Sequence, residues 1–180
     1  MDYVFYLGII GSLVLVTGSA WPEKKDMIPL KSVKNWLLGL GAACMITYAY
    51  LGFLSGGSIF FIFVQALALV ATFLMMIDIS DVIDTVIIVL CGIAFIIWSL
   101  LLFEGYSTVI FIIGFIGIGL GYAFRMGTIR RSFSLFVGGA LIALFSYIEA
   151  SWIFFWLNIF FALFSAYYVY LGLKNRPKNK

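Results

Sequence analysis

The stretch SIFFIFVQALALVATFLMMI, residues 58–77, is twenty residues long and carries no charge. A helix of that length rises about 30 Å, the thickness of a bilayer's hydrocarbon core. Its polar side chains are Ser58, Gln65 and Thr72, which recur every seven residues. Seven residues bring a helix back to nearly the same face, with a drift of about 20°. The segment therefore reads as an apolar rod with one polar stripe about 21 Å long. Gln65 falls roughly 10 Å into it, near the middle of the membrane. A carboxamide is costly to leave unpaired in hydrocarbon, so this stripe must face protein or water rather than lipid.

The rest of the 180-residue chain has the same character: 64% of its residues are apolar, 11% are charged, and His is absent. A soluble domain has about 25% charged residues, so the solvent for this chain is the bilayer. Seven spans of about 20 residues would use about 140 positions, which leaves no room for a separate soluble domain. The lack of His removes the usual general base and the commonest metal ligand. Cys44 and Cys91 lie in apolar stretches and read as small buried core residues, not as a disulfide or a metal pair. Catalytic and metal sites, and cofactors, are accordingly not expected. Met1-Asp2 lacks the positive region of a cleavable signal, so the first apolar stretch reads as a permanent span.

The spans predicted from hydropathy are Tyr3–Ala20, Trp36–Leu54, Ser58–Ile77, Thr85–Phe103, Ser107–Phe124, Ser132–Ile148 and Trp152–Leu173. Ser80, followed by Asp81 and Asp84, has the pattern of an N-cap with acids in the first turn, and Asp78 belongs to the same acidic stretch. The Lys and Arg residues form three groups: Lys24, Lys25, Lys31 and Lys34; Arg125, Arg130 and Arg131; and Lys174, Arg176, Lys178 and Lys180. Seven spans put all three on one side, which the positive-inside rule makes the cytoplasm, with the N-terminus outside and the C-terminus inside. The expected location is a bacterial-type inner membrane, the net charge of +3 serving contact with anionic lipid rather than nucleic acid.

The chain also reads as an internal duplication. Gly8-Ile9-Ile10-Gly11 matches Gly114-Phe115-Ile116-Gly117, and Gly39 with Thr47-Tyr48 matches Gly138 with Ser146-Tyr147. Ser58, Gln65 and Thr72 match Ser151, Asn158 and Ser165, so the last span carries a second stripe. The expected fold is all-α: two parallel triple-helix repeats, residues 1–79 and 107–180, joined by a linker helix in 80–106. Gly117 and Gly121, and Gly8, Gly11 and Ser12, form small-residue faces for close helix approach.

Gln65 and Asn158 offer donors and acceptors without charge, which suits a neutral polyhydroxyl or amide solute; helix-to-helix hydrogen bonding is the structural alternative. The hydroxyls of Ser58, Thr72, Ser151 and Ser165 can also bond back to their own helices. Trp152 and Trp156 stand one turn apart with Asn158 close by, and flat aromatic surface beside a carboxamide suits a sugar or a nucleobase. Trp152, Tyr48 and Tyr147 also sit where an interfacial aromatic belt would place them. No Asp, Glu, Lys or Arg lies in the interior of any span, which argues against proton- or ion-coupled pumping and for passive passage.

Seven helices in a 3+1+3 order, with a carboxamide in the third helix of each triple, resemble the SWEET sugar transporters and the PnuC-type vitamin transporters. In SWEETs a pair of asparagines on the third and seventh helices binds sugar, and those positions fall on Gln65 and Asn158. The run Ser151-Trp152-Ile153-Phe154-Phe155-Trp156-Leu157-Asn158 resembles the PnuC pattern of spaced tryptophans before a polar residue, and Lys34-Asn35-Trp36 with Gln65 is similar to the first half of such proteins. The resemblance implies facilitated diffusion of a small neutral solute such as nicotinamide riboside. Pro22, Pro29 and Pro177 lie outside the spans, so hinging would fall on Gly39 and Gly138.

The expected activity is alternating-access transport of a neutral solute, nucleoside, vitamin or sugar in type, with Gln65, Asn158, Trp156, Trp152, Thr72 and Ser165 as the binding residues. The expected partners are lipid and the solute, with a homo-oligomer left open and nucleic acid excluded. The alternative is a non-transporting scaffold or accessory subunit whose stripes and glycine faces pack against partner membrane proteins.

Overall fold

A computed structural model describes residues 2–21, 29–77, 80–125 and 127–174. Its helices are α1 (Asp2–Ala20), α2 (Val33–Leu54), α3 (Phe60–Ile77), α4 (Asp81–Leu101), α5 (Tyr106–Ala123), α6 (Ile129–Ile148) and α7 (Trp152–Lys174). Each is 18 to 23 residues long and apolar enough to span a membrane, which makes this a multi-pass membrane protein. The described residues contain no strand. Lys24, Lys25, Asp78, Arg176, Lys178 and Lys180, with Pro22 and Pro177, lie outside them.

The helix ends follow local chemistry more than hydropathy. α4 starts at the Ser80 cap read from the sequence, four residues before the hydropathic span at Thr85: Ser80 Oγ accepts from the Ile83 N–H at 3.4 Å and the acids of the first turn favour the helix's positive end. α6 starts three residues before Ser132 for the same reason, with Thr128 Oγ1 accepting from the Arg131 N–H at 3.3 Å. α2 starts at Val33 after a short 3-10 turn, Pro29–Lys31, which hydropathy did not mark. Asn35 Nδ2 and Trp36 Nε1 donate to the carbonyls of Pro29 and Leu30 and hold that turn against the helix.

The main contacts place the helices in a ring. α1 packs on α2, α2 on α3, α3 on α5, α5 on α6, α6 on α7, and α7 returns to α1, while α4 lies outside across the α3–α5 seam. Successive helices run antiparallel. The described residues Lys31, Lys34, Arg125, Arg130, Arg131 and Lys174 therefore share one end of the molecule, and Glu104 and Glu149 share the other. These are the arginine end and the glutamate end below.

Glycines set the tightest seams. Gly41 abuts Leu15 of α1, and Gly138 abuts Ile118 and Gly117 of α5. Lipid offers no hydrophobic drive for helices to associate, so close van der Waals contact must hold these pairs. Phenylalanine fills the core at the glutamate end, where Phe60, Phe111 and Phe145 lie with ring centroids 4.7 to 5.8 Å apart. Cys44 and Cys91 are free thiols but only half-buried; Cys44 is at the α1–α2 seam beside Gly11.

A Cβ at Gly138 would sit 2.5 Å from the Ile118 nitrogen and 2.8 Å from the Gly114 oxygen, both fixed backbone atoms, whereas one at Gly92 would meet nothing within 4 Å. Gly138→Ala should cost about 1–3 kcal/mol, and Gly92→Ala should stabilise by about 0.5–1 kcal/mol. Melting temperatures in detergent micelles check both signs.

Candidate functional site

Inside the ring, toward the arginine end, is a cavity of about 420 Å3. Each of the six ring helices contributes to its lining and α4 contributes nothing. At its closed inner end lie Val64 and Gln65 of α3 opposite Leu157 and Asn158 of α7, with Thr72 and Ser165 two turns further toward the mouth. Two of the three members of each stripe read from the sequence thus turn inward onto this space, while Ser58 and Ser151 line a separate cavity at the glutamate end. The carboxamides are buried, with Gln65 3% and Asn158 5% exposed.

Hydrogen bonding separates these side chains. Asn158 Nδ2 donates to the Phe154 carbonyl at 2.8 Å, and Thr72 Oγ1 donates to the Ala68 carbonyl at 2.8 Å, the back-bond expected of a hydroxyl inside an apolar helix. Gln65 Oε1 is buried and accepts from no protein group. An orphaned acceptor of this kind costs about 1–3 kcal/mol. A ligand that brings an N–H or O–H into the cavity would recover that energy.

The cavity mouth holds groups that the sequence reading did not assign to a site. Ser19, Lys34, Asn35, Tyr122, Arg131, Ser132 and Tyr168 line it. Arg131 Nη1 donates to the Phe124 carbonyl at 3.3 Å. Tyr168 continues the α7 stripe three residues beyond Ser165, a signal that the heptad spacing of Ser, Asn and Ser passes over. Lys34 and Arg131 read as loop charges in sequence; they reach the cavity because α2 and α6 begin three residues earlier than hydropathy suggests.

Three expectations need correction. Trp156 does not line this cavity: it is 55% exposed on the outer face of α7 and packs against Phe155 and Phe160. The reason is helix phase, since two residues along a helix turn about 200°, which sets Trp156 opposite Asn158. Trp152 shares that face and is 57% exposed, with one side on a separate cavity at the glutamate end. Tyr48 is not a belt residue. Its ring is partly buried, 5.3 Å from that of Phe154, whereas Tyr147 is exposed beside Trp152.

No family model, no characterised protein and no solved structure matches this chain. The chemistry of the cavity therefore rests on its own residues. Among the described residues no cluster of His, Cys, Asp and Glu could hold a metal ion.

At the glutamate end, the carboxyl of Glu149 titrates above its ordinary value of 4.5. Partial burial is the larger cause and repulsion from Glu104 adds to it, while a hydrogen bond from Ser107 opposes both. The folded protein thus holds this proton more tightly than the unfolded chain does. The resulting stabilisation is full below pH 4.5 and is lost as pH rises through the raised folded value. The melting temperature should fall over that window, and Glu149→Gln should flatten the fall; a pH series on the two proteins measures it.

Proposed function

We propose that this protein is a facilitator for a small neutral solute, which binds between α3 and α7 against Gln65 and Asn158 and crosses by rocking of the two three-helix halves. The observation that carries the reading is the buried, unpartnered Gln65 Oε1 on the wall of a 420 Å3 cavity. Ligand cavities commonly span about 300–1,000 Å3 and combine apolar walls with a few placed polar groups. Here Leu38, Val64, Leu157, Phe161 and Phe164 supply the apolar wall, and Gln65, Asn158, Thr72 and Ser165 supply the polar groups. A ring-bearing solute with amide or hydroxyl donors fits that wall. A nucleoside, a pyridine vitamin and a sugar belong to this class.

Two further features favour passive transport over a pump or a scaffold. Among the described residues no Asp, Glu, Lys or Arg lies in the middle of a helix, where the carboxylates and bases of proton- and ion-coupled pumps commonly sit. In a scaffold the stripes would be spent on interhelical hydrogen bonds, yet Asn158 and Thr72 bond within their own helices and Gln65 Oε1 bonds to no protein group. The cavity opens toward the arginine end, which the positive-inside rule assigns to the cytoplasm, so this conformation corresponds to an inward-facing one in a bacterial inner membrane.

A panel of nucleosides, sugars and pyridine vitamins should include a compound that raises the melting temperature of the purified protein. Asn158→Ala and Gln65→Ala should each weaken that compound's binding about 5- to 150-fold, the loss of one buried hydrogen bond worth about 1–3 kcal/mol. Trp156→Ala should leave it unchanged. A thermal shift that survives Asn158→Ala and Gln65→Ala would overturn the site.

A further inference from the structure

A second cavity, of about 380 Å3, lies at the glutamate end, and Ser58, Ser151, Trp152 and Glu149 are among its walls. Phe61 and Phe154 also line it. Their rings are stacked, with centroids 4.3 Å apart and planes 3° from parallel. Gln65 and Asn158, one helical turn further along α3 and α7, belong to the other cavity. The stacked pair is thus a partition one turn thick, about 5–6 Å, between two spaces that open at opposite ends.

Both polar stripes run through this partition. Phe61, Gln65 and Thr72, spaced by four and seven residues, share one face of α3, with Ser58 three residues before Phe61 just ahead of the helix; Phe154, Asn158 and Ser165 of α7, with Ser151 just ahead of it, repeat that spacing. Each stripe starts in the glutamate-end cavity and ends in the arginine-end cavity, and an aromatic ring is the one interruption between its first two polar members.

The contacts around the rings pair off between the halves. Gly11 meets Cys44 and Met45, as Gly114 meets Leu141 and Ile142; Gly41 meets Leu15, as Gly138 meets Ile118. Those pairs advance by 103 residues from α1 to α5 and by 97 from α2 to α6, and Gln65 and Asn158 differ by 93. This register differs from the sequence match by three residues in the first helix and by two in the second, and it makes Phe145 the counterpart of Tyr48. The Tyr48–Phe154 and Phe61–Phe145 contacts then become one contact made twice, and both have ring centroids 5.3 Å apart. The Phe61–Phe154 stack maps onto itself, which puts it on the axis that relates the halves.

We infer that the two cavities are the two mouths of a single path for one neutral, ring-bearing solute, and that the Phe61–Phe154 stack, braced by Tyr48 and Phe145, is the barrier that closes it at the glutamate end. The solute class rests on the transport reading above. The barrier can be tested without any solute. In a chain carrying Cys44→Ala and Cys91→Ala, one cysteine is introduced by Ala68→Cys on the arginine-end cavity wall, or by Ser58→Cys in the other cavity. Each protein is exposed to a membrane-impermeant cationic methanethiosulfonate from one face, in spheroplasts and in inverted vesicles. Ala68→Cys should react from the arginine-end face and Ser58→Cys from the glutamate-end face. Adding Phe61→Ala and Phe154→Ala should speed reaction of Ala68→Cys from the glutamate end at least tenfold. The single ring replacements should give smaller increases and serve if the double variant fails to fold. Phe61→Leu with Phe154→Leu, which keeps bulk in the partition, should stay slow.

Reaction of Ala68→Cys from the glutamate end as fast as that of Ser58→Cys, before any ring is removed, would overturn the barrier. So would an unchanged rate in ring-deleted proteins that keep their melting temperature. If labelling behaves as expected but no compound binds at Gln65 and Asn158, the transported class is wrong and the path stands.

Discussion

Close approach of backbones at the α1–α2 and α5–α6 seams is the constraint on which the rest of this molecule depends. Hydrocarbon solvates leucine as well as another leucine does, so apolar surface alone gives helices no reason to associate in a bilayer. Gly41 against Leu15, and Gly138 against Ile118 and Gly117, permit contact at a distance that side chains would prevent. Many weak dispersion contacts then accumulate along each seam. With α1–α2 and α5–α6 fixed as pairs, α3 and α7 can stand across from each other with an opening between them. Loosely packed pairs would let α3 and α7 collapse together, and the carboxamides would find each other instead of a cavity.

Much of the fold was legible because hydrocarbon tolerates few sequence patterns. All seven spans could be read from hydropathy, since a charge inside a span is expensive and the breaks are therefore sharp. The two polar stripes were legible because seven residues is close to two turns, and Gln65, Thr72, Asn158 and Ser165 do line one cavity. What failed was phase and register. Trp156 looked near Asn158 along the chain, but a helix separates residues two apart by more than a half-turn. Tyr147 stands one residue from the end of α6 but Tyr48 six residues from the end of α2, so the ring of Tyr48 meets Phe154 inside the protein while that of Tyr147 stays outside beside Trp152. The start of α4 was legible in the Ser80 cap and its following acids, whereas the start of α6 at Ile129 was set by the Thr128 hydroxyl, a cap that a hydropathy window averages away.

The aromatic content also becomes intelligible. The 19 phenylalanines look in the sequence like generic apolar filler. In the fold they have two duties. Some face outward, where flat apolar rings suit lipid. Others form a continuous inner block through Phe60, Phe61, Phe111, Phe145 and Phe154 that fills the core between the two cavities. Phenylalanine has no polar handle to satisfy, so the block adds no hydrogen-bonding debt to a region where partners are scarce.

The same block has an electrical consequence. Phe61 and Phe154 are neutral, and so are Gln65, Asn158, Thr72 and Ser165 beside them; the charged groups of the described residues stay near the two ends. Each elementary charge carried across the bilayer would couple to the transmembrane potential by about 2.3 kcal/mol per 100 mV. Rearrangement of an uncharged ring pair carries none. On the path inferred above, opening of the ring pair would therefore draw nothing of its own from the transmembrane potential.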